Sequence, residues 1–159
     1  MPIDLDKISY EMNLDKFKKW DKVPKDKKAE LKKDIFDMVK LQIDSYTREQ
    51  RSPVTGGKFK KLSDSYAKLK KKMVGNDKPD LHLKDKMIKS IRADFLADRI
   101  RFKITAESQI AKSYNHLTGD TVPKRQFLPD DEVTTGRGVG FHKDIKDIVQ
   151  DIINDAVES

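Results

Sequence analysis

The period of the apolar residues changes twice along this chain, and each change restricts the backbone. Between Pro24 and Pro53 the period is the 3.6 residues of a helix, on a face that includes Leu31, Ile35, Met38, Val39 and Tyr46. Between Arg99 and Thr105, apolar and charged residues alternate at the two-residue period of a strand. The helical period returns near the C-terminus, at Ile145, Ile148, Val149, Ile152, Ile153, Ala156 and Val157. The sequence therefore predicts a long helix, a strand and a C-terminal helix, in that order.

Prolines, glycines and turn residues set the expected boundaries. Pro24 suits a first helical turn, where its missing N–H would be unpaired anyway. The long helix is expected to end before Ser52-Pro53, because a proline moves its predecessor out of the helical region. A second strand is predicted at 91–96, joined to the strand at 99–105 by Ala97-Asp98.

The remaining predicted segments complete a single domain over residues 1–159. The N-terminal segment, 1–22, has roughly helical spacing from residue 3 to about 20. Residues 51–62 are predicted to be a protruding loop, and 123–128 a third, short strand. Residues 129–140 are predicted to be a flexible loop that leads into the C-terminal helix.

All of the net positive charge lies in 25 residues, from Arg48 to Lys72, with nine cations and two acids. The whole chain has 34 cations and 27 acids, so the other 134 residues hold 25 of each. Charge this concentrated favours a polyanionic partner at that place. The alternative is a solvated loop whose lysines keep the protein soluble.

Several function classes have little support in the sequence. The chain has no cysteine, which excludes disulfides and thiolate chemistry. No run approaches the roughly 18 apolar residues of a membrane span, so no membrane partner is expected. The histidines are scattered at His82, His116 and His142, and the two acid clusters suited to a magnesium ion, at 77–80 and 130–132, lie in predicted loops, where exposed acidic turns are far commoner than metal sites. We therefore predict no catalytic residue, no metal site and no cofactor, and expect that the protein is not an enzyme.

Two local patterns leave alternatives open. The glycines of 136–140 suit an anion-binding nest at a helix start, but a flexible hinge that lets the last helix dock is the favoured interpretation. Phe59 and Tyr66 lie beside lysines and are suited to stacking on bases, although such aromatics more often anchor a loop to the core.

Several short motifs, taken in order, resemble the tail-completion, neck and virion-morphogenesis proteins of tailed bacteriophages. The first is Ser52-Pro53-Val54-Thr55-Gly56, then Phe59 and Leu62-Ser63, after a long helix. The second places Leu81, Met87 and Ser90-Ile91 before a strand pair, with Lys84-Asp85 where the family has Thr-Gly. Loose matches follow at Ile110-Ala111, Tyr114 and Gly119, and a good one at Pro123-Lys124-Arg125-Gln126-Phe127-Leu128. The resemblance covers about residues 25–157.

The resemblance implies an α+β fold, in which a small antiparallel or mixed sheet packs against a long N-terminal helix and a C-terminal helix. It also implies a long extended basic loop, and a structural role in a ring of six or twelve copies at the head–tail junction of the virion. The expected partners are other copies of the chain, the neighbouring connector and tail-tube proteins, and DNA in the ring lumen without sequence specificity.

Two sets of residues are the candidate contacts. An inter-subunit or lumenal arm is expected at Ser52, Pro53, Gly56, Gly57, Lys58, Phe59, Lys60 and Lys61. A structural or interface motif is expected at Pro123, Arg125, Phe127 and Leu128, with plain core packing as the alternative for Arg125 and Phe127. A competing hypothesis is a free DNA-binding protein that uses residues 48–72.

Overall fold

The structure is a computed structural model, and it describes residues 9–59, 68–69, 71–72, 86–104, 127–129 and 140–158. Within these ranges the strands are β1 (Ser9–Asn13), β2 (Ile91–Phe95) and β3 (Arg99–Ile104). The α-helices whose bounds are described are α1 (Lys25–Arg48), α2 (Lys86–Lys89) and α3 (Lys143–Glu158), and residues 68–69 and 71–72 are helical as well. Single 3₁₀ turns follow β1 at Leu14–Lys16 and Trp20–Lys22. The predicted α+β class is confirmed.

The three strands form an antiparallel sheet in the order β1-β3-β2. The predicted hairpin is confirmed: Leu96 donates its N–H to the carbonyl of Arg99 across the turn, at 2.9 Å. Alternation along β3 places Ile100, Phe102 and Ile104 in the core and leaves the charged residues between them on the other side. We call these two sides the inner face and the outer face of the sheet.

The N-terminal segment differs from its prediction, because Ser9–Asn13 is a strand rather than part of a helix. Its Tyr10 and Met12 are buried on the inner face, opposite Phe102 and Ile100 of β3. In the strand, the backbone N–H and C=O groups of Ser9–Asn13 pair with those at one edge of β3. A short isolated helix, in contrast, is only marginally stable in water. Packing against a partner strand therefore overrides the weak helical spacing.

Helix α1 begins after Pro24, as predicted, and ends at Arg48, before Ser52-Pro53. Its end is set by hydrogen bonds rather than by the proline alone. Gln50 has φ +63°, and the N–H groups of Gln50 and Arg51 bond to the carbonyls of Thr47 and Tyr46. This paired arrangement around a left-handed residue satisfies carbonyls that the helix end leaves unpaired.

Helices α1 and α3 cover the inner face around a group of aromatic rings. The Phe102 ring lies 5.3 Å from Phe36 of α1 and 5.6 Å from Phe141, two residues before α3. Tyr10 of β1 packs edge-on against Phe141 at 5.4 Å. Ile145, Val149 and Ile153 bring the predicted apolar face of α3 into the same core.

Two predictions near the C-terminus are corrected. Phe127 and Leu128 are not in a strand, and the third strand of the sheet is β1. Helix α3 begins at Lys143, three residues after Gly140, so the glycine-rich segment precedes the helix rather than opening it. The remainder of 123–128 and of the predicted loop at 129–140 lies outside the described residues, apart from Pro129 and Gly140.

Candidate assembly site at the Ser52–Phe59 turn

Ser52 organises the segment that was predicted to be an arm. Its Oγ accepts the backbone N–H groups of Val54 and Thr55 at 3.1 and 3.3 Å. Its backbone N–H donates to the carbonyl of Gly57, and its carbonyl accepts the N–H of Gly56, both at 2.8 Å. A serine hydroxyl that bonds the following N–H groups is a common way to hold a tight turn.

The two ends of the turn are held together at its base. Arg51 and Lys58 form an antiparallel bridge, and the N–H of Phe59 donates to the carbonyl of Gln50 at 2.7 Å. Arg51 also donates from Nε to the carbonyl of Gly56 at 2.9 Å. Its guanidinium lies 4.9 Å from the centre of the Tyr46 ring, which is suitable for a cation–π contact.

His142 connects this turn to α3. Its backbone N–H donates to the carbonyl of Pro53 at 2.7 Å. Its ring Nδ1 accepts the N–H of Asp144 at 3.3 Å, so the imidazole caps the first turn of the helix. The Tyr46 hydroxyl lies 3.4 Å from the same Nδ1. One histidine thus joins α1, the turn and α3.

Gly56 is the position in the turn where only glycine fits. Its φ is +78°, a left-handed conformation that other residues adopt with strain. A Cβ there would lie 2.7 Å from the His142 ring. Gly57 has neither constraint: its φ is not in the left-handed region, and an added Cβ would meet Thr55 Oγ1 at 3.4 Å.

Tyr46 has an environment that disfavours its ionised form. Burial raises the pKa of the Tyr46 hydroxyl, and the Asp144 carboxylate raises it further, while Arg51 acts in the opposite direction. The phenol beside the His142 ring therefore stays protonated beyond the ordinary tyrosine pKa.

The predicted arm is corrected in its first half. Ser52, Pro53 and Val54 are buried against the chain itself, so they do not protrude. Phe59 packs on the core, which confirms its interpretation as an anchor. Lys58 is exposed, while Lys60 and Lys61 lie outside the described residues. Contact between this segment and a neighbouring subunit stays a prediction.

The second set of predicted residues is described only in part. Phe127 and Leu128 are fully buried in the main core, which favours core packing for this part of the motif. Pro123 and Arg125 lie outside the described residues, as do His82, His116 and Tyr66. The buried pair therefore stabilises the fold, and no interface role of Arg125 is tested.

The cations of the basic stretch divide into two groups. Arg48 pairs with Asp44 of α1 at 3.0 Å, and Arg51 approaches Glu49 at 3.5 Å. Four other described cations of the stretch are exposed: Lys58, Lys68, Lys71 and Lys72. The positive field of this region thus comes from lysines at the surface, while its two arginines hold the chain's own structure.

Charged side chains also cover the outer face of the sheet. The Glu11 carboxylate is held by Arg101 and by Arg99, the latter at 3.3 Å, and only 8% of Glu11 is exposed. Lys103 pairs with Asp94 at 2.8 Å. This cluster was not predicted, although the alternation of Ser9–Asn13 indicates a strand that points Glu11 outward.

A cleft of about 230 Å³ lies beside β1, lined by Tyr10, Met12, Asn13, Lys16, Phe17, Phe141 and Lys146. Its walls are mostly aromatic and aliphatic. Among the residues that the structure describes, no group of three or more His, Asp or Glu side chains is placed to hold a metal ion. In the same part of the chain, no helix is both long and apolar enough to cross a bilayer.

Comparison with known proteins gives no further constraint: no family model, no curated protein and no solved structure matches this chain.

Proposed function

We propose that this protein is a structural subunit of the head–tail junction of a tailed bacteriophage. In this proposal it is a neck, tail-terminator or tail-completion protein. Copies of it, six or twelve, form a ring that joins the capsid connector to the tail. It assembles in the host cytoplasm and remains in the virion. Its partners are itself, the adjoining connector and tail-tube proteins, and the DNA that passes through the ring.

The observation that supports this proposal most is that each motif residue of the Ser52-Pro53-x-x-Gly56 turn has a structural task. Ser52 bonds two N–H groups, the Pro53 carbonyl accepts the N–H of His142, and Gly56 occupies a conformation and a space that exclude a side chain. The tasks of Ser52 and Gly56 require these residue types, whereas Pro53 contributes a backbone carbonyl that any residue would supply. The resemblance to the phage proteins therefore includes two residues that the local geometry demands.

Two further motif pieces support the same interpretation. Ser90, which precedes β2, is buried, and Ile91, Phe127 and Leu128 belong to the main hydrophobic core. These motif residues therefore contribute to the fold that the resemblance implies. The chain also has 38% charged residues, which suits a subunit that buries much of its surface on assembly.

The direct test is negative-stain electron microscopy of the purified protein, alone and mixed with tail tubes that lack their end protein. We expect rings of uniform diameter or capped tube ends. Sedimentation velocity over a hundredfold range of concentration gives the size of the assembly. Monomers at every concentration, together with uncapped tubes, would contradict the proposal.

The exposed lysines Lys58, Lys68, Lys71 and Lys72 favour a second candidate, a free protein that binds DNA without sequence specificity. It predicts binding to duplex DNA that weakens steeply as salt rises. Charge reversal at Lys58, Lys60 and Lys61 discriminates between the two functions. Lost DNA affinity with intact folding supports the second candidate, and lost rings with unchanged DNA affinity support the first.

A further inference from the structure

Five carboxylates lie in a line along one side of α3. All five are exposed: Asp144, Asp147, Asp151, Asp155 and Glu158. They follow one another at steps of three or four residues, which keeps side chains on one face of a helix. The buried residues Ile145, Val149 and Ile153 occupy the opposite face. We call this line the acidic stripe.

The acidic stripe destabilises the helix that bears it. Each neighbouring pair of like charges costs a helix about 0.2–0.5 kcal/mol. Asp155 and Glu158 also lie near the negative end of the helix dipole. From Asp147 to Glu158 the sequence has no lysine or arginine to offset them. A cationic surface that covers the acidic stripe would reduce this repulsion and so stabilise α3.

Nothing within the described chain neutralises the middle of the stripe. At its ends, Asp144 lies 3.6 Å from His142, and Glu158 lies 4.0 Å from Lys19. Among the residues that the structure describes, Asp147, Asp151 and Asp155 make no ion pair. These three carboxylates are therefore available to a partner.

A cationic surface lies on the other side of the same molecule. The outer face of the sheet carries four cations against two acids, a net charge of +2, from Arg92, Arg99, Arg101, Lys103, Glu11 and Asp94. Because α3 packs on the inner face and points its stripe away from the sheet, the two charged surfaces face in opposite directions. They cannot meet within one chain, but they can meet between two copies.

The spacing of the two surfaces agrees. Arg99, Arg101 and Lys103 are alternate residues of β3, so they are about 6.8 Å apart along the strand. Asp147, Asp151 and Asp155 are four residues apart, which is about 6 Å along a helix. Three cations can thus face three carboxylates over a length of about 12–14 Å. Arginines 99 and 101 can retain Glu11 as they bind, because a guanidinium has five N–H donors.

We propose that the acidic stripe of one copy binds the outer sheet face of the next copy, head to tail. This inference rests on the proposed function and names the surfaces through which the ring subunits meet. A contact between two different surfaces leaves a free sheet face on one copy of the pair and a free stripe on the other, so the contact repeats until a ring closes. Its charge also makes the assembly sensitive to salt.

The first test neutralises the stripe in the full chain with Asp147→Asn, Asp151→Asn and Asp155→Asn. We expect self-association to weaken about tenfold or more, as for three exposed ion pairs, while the melting temperature stays equal or rises. Sedimentation velocity and thermal unfolding measure the two effects. The matched control is Glu30→Gln, Asp34→Asn and Asp37→Asn, three exposed acids of α1 that change the net charge equally. It should assemble like the wild type.

The second test uses charge reversal on each surface. One variant carries Asp147→Lys, Asp151→Lys and Asp155→Lys, and the other carries Arg92→Glu and Lys103→Glu, which leave the Glu11 cluster intact. Each alone should stay monomeric, because its two surfaces then carry charge of the same sign. Their equimolar mixture should assemble again in alternation, because the unaltered surfaces match and the two reversed surfaces are also complementary in charge. Normal rings from either variant would overturn the inference.

A third variant identifies the cationic partner. Lys68→Gln, Lys71→Gln and Lys72→Gln remove exposed lysines of the basic stretch and should leave assembly unchanged. If this variant fails to assemble while the sheet-face variant succeeds, the stripe binds the basic stretch and our assignment is wrong. Rings from every stripe variant would refute this inference and leave the proposed function standing. A wild type that never forms rings or caps tubes would refute both.

Discussion

The two faces of the sheet hold opposite kinds of side chains, although they are made from the same three strands. The inner face carries Tyr10, Phe102 and Ile100 under two helices, and each of these residues is at most 4% exposed. The outer face carries Arg99, Arg101 and Lys103, whose charged ends remain partly in water. The difference teaches that burial supplies the stability, while the charged side is available for recognition.

The strongest test of this contrast removes the aromatic residue at the centre of the inner face. Phe102→Ala should cost about 3–5 kcal/mol of unfolding free energy, because Phe102 is fully buried among three other rings. Urea denaturation followed by circular dichroism measures the change. Phe95→Ala is the matched control: Phe95 is 46% exposed and should cost about a third as much. Equal losses would show that the core extends to the edge of the sheet.

A second substitution tests whether tight packing of the Ser52–Phe59 turn also contributes to the stability of the fold. Gly56→Ala should destabilise by about 2 kcal/mol, from the left-handed φ of +78° and from displacement of the His142 ring. Gly57→Ala should change the free energy by less than about 0.5 kcal/mol. Combining Gly56→Ala with His142→Ala should recover part of the loss, since the clash disappears. Strict additivity would exclude that contact as the cause.

At one position of the outer face, Glu11, a charged side chain should contribute appreciably to stability. Glu11→Gln should cost about 1–2 kcal/mol, because two arginines surround a carboxylate that is only 8% exposed. Asp94→Asn removes a carboxylate that is 40% exposed and should cost at most about 0.5 kcal/mol. Denaturant midpoints of the two variants give the comparison. A larger loss at Asp94 would reverse our ranking of these pairs.

The smallest expected effect is the dependence of stability on alkaline pH. Because folding raises the pKa of Tyr46, its contribution is complete below pH 10 and is lost as pH rises through the folded-state value. Lys40 acts in the opposite direction, since burial and then Arg92 lower its pKa, so its contribution grows as pH rises towards 10.5. The difference in unfolding free energy between wild type and Tyr46→Phe, followed as pH rises, isolates the contribution of Tyr46. Absorbance titration of wild type against Tyr46→Phe should place the ionisation of Tyr46 above the ordinary tyrosine pKa of 10.0, and ionisation below it would contradict the assigned environment.

Much of the site was predictable where the chemistry is local. The turn residues Ser52 and Gly56 were identified from their types, and Phe59 was interpreted as an anchor. The role of His142 was not predicted. A lone histidine before a helix does not indicate a contact with the Ser52–Phe59 turn, because that contact exists only in the folded chain. The same holds for Glu11, whose two arginines are about 90 residues away in the chain.

The sequence by itself determined the long helix, the hairpin of β2 and β3 and the apolar face of α3, because their periods are set by local backbone geometry. Only the tertiary structure decided that Ser9–Asn13 is a strand, since its hydrogen bonds depend on the edge of β3. It also decided that the start of the basic stretch folds onto the beginning of α3. In addition, it decided that the acidic stripe and the cations of the outer sheet face point in opposite directions. Those outcomes depend on which distant surfaces meet, and a one-dimensional pattern does not contain that information.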